Sequence, residues 1–208
     1  NAEKLIKFEI SKVDREIDNF RDLILEAFAE YKRFDIAKQN KLDVSCSVAI
    51  HNLSLNDDVL ESFDTNYKVL PPLRTQNDCD ALIEGLKDGT IDMATSDHNP
   101  IDIEGKKIEF DYAKYGTIGL ESAFGVLQNI FTTKKTIAIL TQGKSRFGVS
   151  EGLIKEGELA DLTLFNPDEN YTFEKEDILS KSKNSAFIGQ SLKGKTYGII
   201  SNNKIVLR

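Results

Sequence analysis

The stretch "TIDMATSDHNP" (90–100) sets an apolar run, Ile91, Met93 and Ala94, directly before Asp97 and His98, and Pro100 closes it. It reads as a buried strand that ends on two ionisable side chains. Upstream, "NDCDALIEGLKDG" (77–89) has the pattern of an amphipathic helix, capped by Asn77 or Asp78 and stopped by Gly89. Before it, "DTNYKVLPPLR" (64–74) predicts a short strand halted by Pro71 and Pro72, which cannot donate to a ladder. Earlier still, "LDVSCSVAI" (42–50) is rich in β-branched residues and predicts a buried strand, with His51 directly after it. Downstream, "GLESAFGVLQNIFT" (119–132) predicts another helix. Strand and helix therefore alternate from 42 to 132, which predicts an α/β fold with a parallel sheet or barrel of βα units. In such folds chemistry sits at the C-terminal ends of strands. That is where His51 and the Asp97–His98 pair fall.

The flanks differ in character. Residues 14–40 carry apolar side chains at Ile17, Phe20, Leu23, Ile24, Ala27, Phe28, Tyr31 and Phe34, a period near 3.6 that predicts helix. A continuous helix of that length is long for a globular domain, so a break within it is plausible. After about 150 the apolar runs shorten and alternate with turns rich in Gly, Pro and Asn. "LKGKTYGIISNNKIVLR" predicts two strands joined at Ser201-Asn202-Asn203. The chain thus divides into a helical segment (1–40), a βα part (41–150) and a small β module (151–208).

Composition narrows the function. The 208 residues carry a formal net charge of −7, which argues against a nucleic-acid backbone as partner. Hydrophobic residues make up 40% and charged residues 29%, as in a globular protein, and no run approaches the roughly 18 apolar residues of a membrane span. "NAEKLIKFEISK" has no signal-peptide core and no initiator Met. The two cysteines, Cys46 and Cys79, lack metal-knuckle spacing and read as reduced thiols, which predicts a cytoplasmic location.

Individual residues admit two readings each. A lone histidine at a strand end, such as His51, is more often a structural hydrogen-bonder than a ligand. Asp97 can bind metal or accept a proton, and can equally cap the turn that follows. Ser45, Ser47 and Ser96 have no nucleophile-elbow context, and no phosphate-cradling glycine loop is present. "EGKKIEFDYAKYG" (104–116) predicts a solvated loop in which Lys106 and Lys107 need no partner.

The combined pattern is more specific than its parts. "VSCSVAIHNL", "FDTNYKVLPPLR", "ATSDHNP", "YGTIGLESAF" and "EGELADLTLFNP" occur in this order. Together they resemble the C-terminal half of a type I dihydroorotase, of the amidohydrolase superfamily, over about residues 36–208. The resemblance implies part of a metal-dependent (β/α)8 barrel, strands six to eight, flanked by a small β module. It implies hydrolysis and closure of the cyclic amide of dihydroorotate in pyrimidine biosynthesis. His51 takes the place of a zinc-ligating histidine. Asp97 takes that of the strand-eight aspartate, which contacts metal and shuttles the proton. Tyr115 and Gly116 match a Phe-Gly pair whose backbone holds the substrate ring. A homodimer or a complex with aspartate transcarbamoylase is the assembly it suggests.

Departures from the family pattern are equally specific. Leu70 stands where an Asn binds substrate, Ile101 where a His does, and Asn52 replaces the second His of the strand-six pair. An unpaired substrate polar atom costs about 1–3 kcal/mol per contact. The His-x-His pair of the family's first strand is absent. His51 and Asp97 are then two ligands where catalytic zinc usually takes three from protein, which predicts weak zinc binding by this chain. His98, adjacent to Asp97 on a strand, should point away from that metal. The leading reading is a dihydroorotase-like hydrolase. An inactive scaffold, or a hydrolase of another cyclic amide, are the alternatives that Leu70 and Ile101 keep open.

Overall fold

The computed structural model describes residues 36–149, 152 and 154–207. The chain divides between Cys46 and Ser47 into two units. Of the first, residues 36–39 are helical and Lys41 stands in the left-handed region (φ 59°), ending that turn. The helix predicted over 14–35 lies outside the described residues.

The second unit opens on β1 (Ser47–Ala49). Its partner is β2 (Met93–Thr95), parallel, in the register Ser47↔Met93, Val48↔Ala94 and Ala49↔Thr95. A parallel pair requires a long crossover, and the chain between them supplies it as α1 (Ile50–Ser54), two 3₁₀ turns (Asp57–Ser62 and Thr65–Tyr67) and α2 (Gln76–Asp88). The cap of α2 lies upstream of the predicted one. Thr75 accepts from the Asp78 amide while the Asp78 carboxylate accepts from the Thr75 amide, a reciprocal box. Gly89, at φ 87°, ends the helix as expected.

Two expected strands are shorter than predicted, and one is not formed. Residues 42–46 are not strand, and the chain turns helical at Ile50, so His51 lies in α1. Strand β2 stops at Thr95, two residues before Asp97. Over 64–74 the ladder reduces to a single parallel bridge between Asn56 and Arg74. The reason is local. The Asn66 amide is taken by the Asp64 side chain, and those of Tyr67 and Lys68 by the Asp64 and Thr65 carbonyls. Pro71 and Pro72 have no amide to offer.

Beyond the site loops lie α3 (Ala123–Ile130), α4 (Thr133–Thr141) and α5 (Gly143–Arg146). The predicted helix at 119–132 is thus shorter, because Thr132 caps the next helix through the Lys135 amide. Strands β3 (Leu162–Thr172), β4 (Ser191–Ser201) and β5 (Lys204–Leu207) form an antiparallel sheet in that order. The β4–β5 hairpin turns on Asn202 and Asn203, both at positive φ (51° and 58°), as a two-residue primed turn demands.

The sheet and the βα part share one core. Phe124 of α3 meets Phe165 of β3 edge-on, ring centroids 4.7 Å apart. Ile50, Leu53, Leu86, Ile118, Leu127, Ile139, Phe173 and Phe187 are fully or almost fully buried. The α3–sheet contact is tight enough to require glycine: a Cβ on Gly125 would sit 2.9 Å from Leu192 Cβ and 3.0 Å from the Tyr171 hydroxyl. Gly125→Val should therefore lower stability by about 1–3 kcal/mol through overpacking. Urea denaturation would read this as a lower midpoint at unchanged slope; an unchanged midpoint would show that the sheet gives way freely.

Candidate functional site

The β1–β2 register places the candidate pair. Ala49 is opposite Thr95, so His51 and Asp97 each lie two residues past the last rung. The chain then diverges differently on the two sides. After Ala49 it enters α1, which carries His51 inward to zero exposure. After Thr95 it bends through Asp97, which adopts a left-handed conformation (φ 44°), its amide donating to Thr95 Oγ1. Asparagine and aspartate tolerate this region better than other non-glycine residues. The result brings His51 Nε2 to 3.9 Å from Asp97 Oδ2, with the Asp97 side chain 43% exposed. One member of the pair is sealed in the core and the other faces solvent.

Neither ring nitrogen of His51 has a hydrogen-bond partner among the described residues. Buried polar atoms are rarely left so. Burial lowers the imidazole pKa from its ordinary 6.5, outweighing the upward pull of the Asp97 carboxylate. The ring is therefore neutral near pH 7, with a lone pair free to bind an electrophile.

His98 turns the other way. Its Nδ1 accepts from the amides of Gly119 (3.4 Å) and Leu120 (3.3 Å), and Glu121 Oε2 lies 3.9 Å from it. Glu121 in turn accepts the Leu179 and Ser180 amides. His98 thus belongs to the packing behind the loop.

Tyr115 and Gly116 stand on a segment anchored by Lys68. The Gly116 amide donates to the Lys68 carbonyl (2.9 Å), and the Lys68 ammonium lies 4.9 Å from the Tyr115 ring centroid. The Gly116 carbonyl accepts from Asn184. Both polar backbone groups of Gly116 are thus engaged within the chain. Of the residues at the family's polar positions, Leu70 is 53% exposed, and Asn52 donates to the Pro72 carbonyl. Ile101 presents its amide to Asn184.

Most of the 104–116 loop is exposed, as its sequence predicts, but Lys106 is not. Lys106 is only 7% exposed; its ammonium donates to the carbonyls of Thr65 (2.7 Å) and Lys68 (3.4 Å), and its own carbonyl accepts from the Thr65 hydroxyl. Lys68 likewise donates to the carbonyls of Phe110 and Asp111. Backbone oxygens replace the water that charge alone predicts. Lys107 stays exposed. Asn184, which reaches Asn99, Ile101 and Gly116 from more than 65 positions away, carries no spacing signal that could have revealed it.

Burial lowers the Lys106 ammonium from 10.5 to about 8, with nearby Asp64 opposing and Lys68 reinforcing. The unfolded chain therefore holds this proton more tightly than the folded one between those values. Its contribution should make stability rise as pH climbs from about 8 towards 10.5. Urea midpoints across that window should show the rise, and Lys106→Met should flatten it. An equal rise in the variant would assign the effect elsewhere.

Among the described residues no three His, Cys, Asp or Glu side chains gather as a metal cluster, and no helix is long and apolar enough to cross a membrane. No protein-family model matches the chain. It is 42% identical to the dihydroorotase of Caldanaerobacter subterraneus subsp. tengcongensis over 165 residues, 76% of this chain and 38% of that protein. In fold it is similar to an L-hydantoinase (dihydropyrimidinase) from Arthrobacter aurescens, with a TM-score of 0.77 and 22% identity over 86% of this chain and 42% of that one. It is also similar to the inactive dihydroorotase-like domain of a Chaetomium thermophilum CAD-like multifunctional protein, with a TM-score of 0.61 and 20% identity over 86% of this chain and 49% of that one. The chain spans about two fifths of the length of the curated relatives it matches. It is a homologue of the dihydroorotases, built on part of the amidohydrolase (β/α)8 barrel with a small flanking β module.

Proposed function

We propose that this chain supplies part of the active site of a dihydroorotase-like cyclic amidohydrolase, with His51 and Asp97 at its centre. The observation that carries the reading is the buried, neutral and unpartnered imidazole of His51, 3.9 Å from a carboxylate open to solvent. As a hydrogen-bonded core histidine, His51 would have a partner.

The two residues fit a metal. Around a tetrahedral zinc, with ligands about 2.0–2.2 Å from the ion, two ligand atoms lie about 3.3–3.6 Å apart, and the His51–Asp97 separation of 3.9 Å is within a few tenths of an ångström of that range. The donors, a neutral imidazole and a carboxylate, suit zinc, and the other ligands would come from beyond these two residues. When bound, the ion would acidify a water and polarise the ring amide carbonyl.

The protein's own contribution follows from placement. Asp97, at the solvent-facing edge, would accept the water's proton and return it to the leaving ring nitrogen. His51, held in the core by α1, would keep a fixed lone pair beside it without competing for that proton. Tyr115 and Gly116 would border the substrate. The left-handed backbone at Asp97 aims the carboxylate back across the register at His51 rather than along the strand.

A second reading has its own observation. Leu70 and Ile101 offer no side-chain polar group where the family pattern has Asn and His, and the fold neighbour from Chaetomium thermophilum is described as inactive. On that reading the barrel serves as a scaffold beside another pyrimidine enzyme, such as aspartate transcarbamoylase, or a less polar cyclic amide is the substrate.

Asp97→Asn in the full-length protein should lower dihydroorotate turnover by about 10²–10⁴-fold with the melting temperature unchanged, since the Asp97 side chain is half-exposed. Turnover at the parent rate would remove Asp97 from the chemistry. His51→Gln should lower the zinc retained per protein after dialysis, measured by elemental analysis. Equal zinc in parent and variant would return His51 to the role of a core residue.

A further inference from the structure

The loop after Asp97 and the segment after Tyr115 are both held by one side chain from the β-module end of the chain. Asn184 is buried, and every hydrogen-bonding position of its amide is used. Its Nδ2 donates to the carbonyls of Asn99 (3.0 Å) and Gly116 (3.2 Å). Its Oδ1 accepts from the Ile101 amide (3.1 Å), and the single proton of the Ser182 hydroxyl is shared between that Oδ1 (2.5 Å) and the Ile101 carbonyl. Its backbone carbonyl accepts from the Ile118 amide (3.0 Å) and the Thr117 hydroxyl (3.1 Å). The clamp has no slack. Gly116, at φ 134°, passes so close that a Cβ there would lie 2.6 Å from Asn99 Nδ2.

We infer that Asn184 is a positioning residue: by pinning Asn99–Ile101 to Gly116–Ile118, it sets where Tyr115 stands relative to Asp97. The inference rests on the proposed cyclic-amide site for its functional meaning, and on hydrogen-bond geometry for its structural one. The donor and acceptor roles at Asn184 are both required. Asn99 and Gly116 present carbonyls, which need a donor with two hydrogens to bridge them, while Ile101 presents an N–H, which needs an acceptor. Aspartate keeps the shape and the acceptor but aims an oxygen at two carbonyls.

Asn184→Asp in the full-length protein is the test. KM for dihydroorotate should rise about tenfold or more while kcat stays within about threefold, because the substrate-facing segment shifts and the His51–Asp97 pair does not. Amide exchange at Asn99 and Gly116 should speed up about tenfold, with the Leu86 amide in α2 unchanged, marking a local release rather than global unfolding. A folded variant with a lower melting temperature but parent KM and parent exchange at those two amides would make Asn184 merely structural and overturn the inference. Should Asn184→Asp fail to fold, Ser182→Ala, which removes one partner of Oδ1, must show the same shifts at smaller size, and parent values there overturn it equally. If the parent protein turns over no dihydroorotate, the functional reading fails on that result alone, and the exchange rates by themselves decide whether Asn184 holds the loop.

Discussion

The register of the β1–β2 ladder is the constraint on which the site depends. Ala49 opposite Thr95 sets His51 and Asp97 at equal distance past the sheet, so that two residues 46 positions apart in sequence meet at 3.9 Å. A slip of one residue in either strand would turn its side chains to the other face and separate the pair. The ladder is only three residues long. Its register is therefore held largely from outside, by the buried apolar side chains of α1 and α2 and by the loops that fasten Asn99, Gly116 and Lys106.

Those fastenings share one chemistry. Irregular backbone near a site exposes carbonyls and amides that no helix or sheet satisfies, and long polar side chains satisfy them here. Lys68 and Lys106 spend their ammoniums on four carbonyls between them. Asn184 satisfies two carbonyls and an amide, and Glu121 takes two amides. Removing Asn184 would leave the buried Gly116 carbonyl short of a partner, which costs more than the bond itself contributes. The site loops are thus tied down by side chains, although they contain almost no regular structure.

His51 gives the arrangement its functional content. Both of its ring nitrogens lack a hydrogen-bond partner; among the described residues the other buried side-chain atoms in that state are one oxygen each of Gln128 and Thr136. Departures from local consistency of this kind concentrate where a protein binds something. The apolar residues at Leu70 and Ile101 bear on what is bound rather than on whether the pair exists, since Leu70 faces solvent and the Ile101 backbone is held by Asn184.

Much of the fold was legible in the residues themselves. The strand-to-helix alternation, the Gly89 end of α2, the Asn202–Asn203 hairpin and the placement of His51 and Asp97 near strand ends all follow from local rules of propensity, capping and turn geometry. Ordered motifs added the family likeness. What those rules could not give is where local groups find distant partners. The 65–67 turn displaced a predicted strand because Asp64 and its neighbours consumed the amides a ladder would need. The burial of Lys106 reversed the ordinary expectation for a charged loop, because carbonyls 38 and 41 positions away in sequence replaced water. Asn184 has no sequence signature, since its role is defined by three segments that meet only after folding. The sequence by itself determined most of the elements that form and which residues stand near strand ends; only the tertiary structure decided which of those residues face each other, because hydrogen bonds and burial act through space and carry no period along the chain.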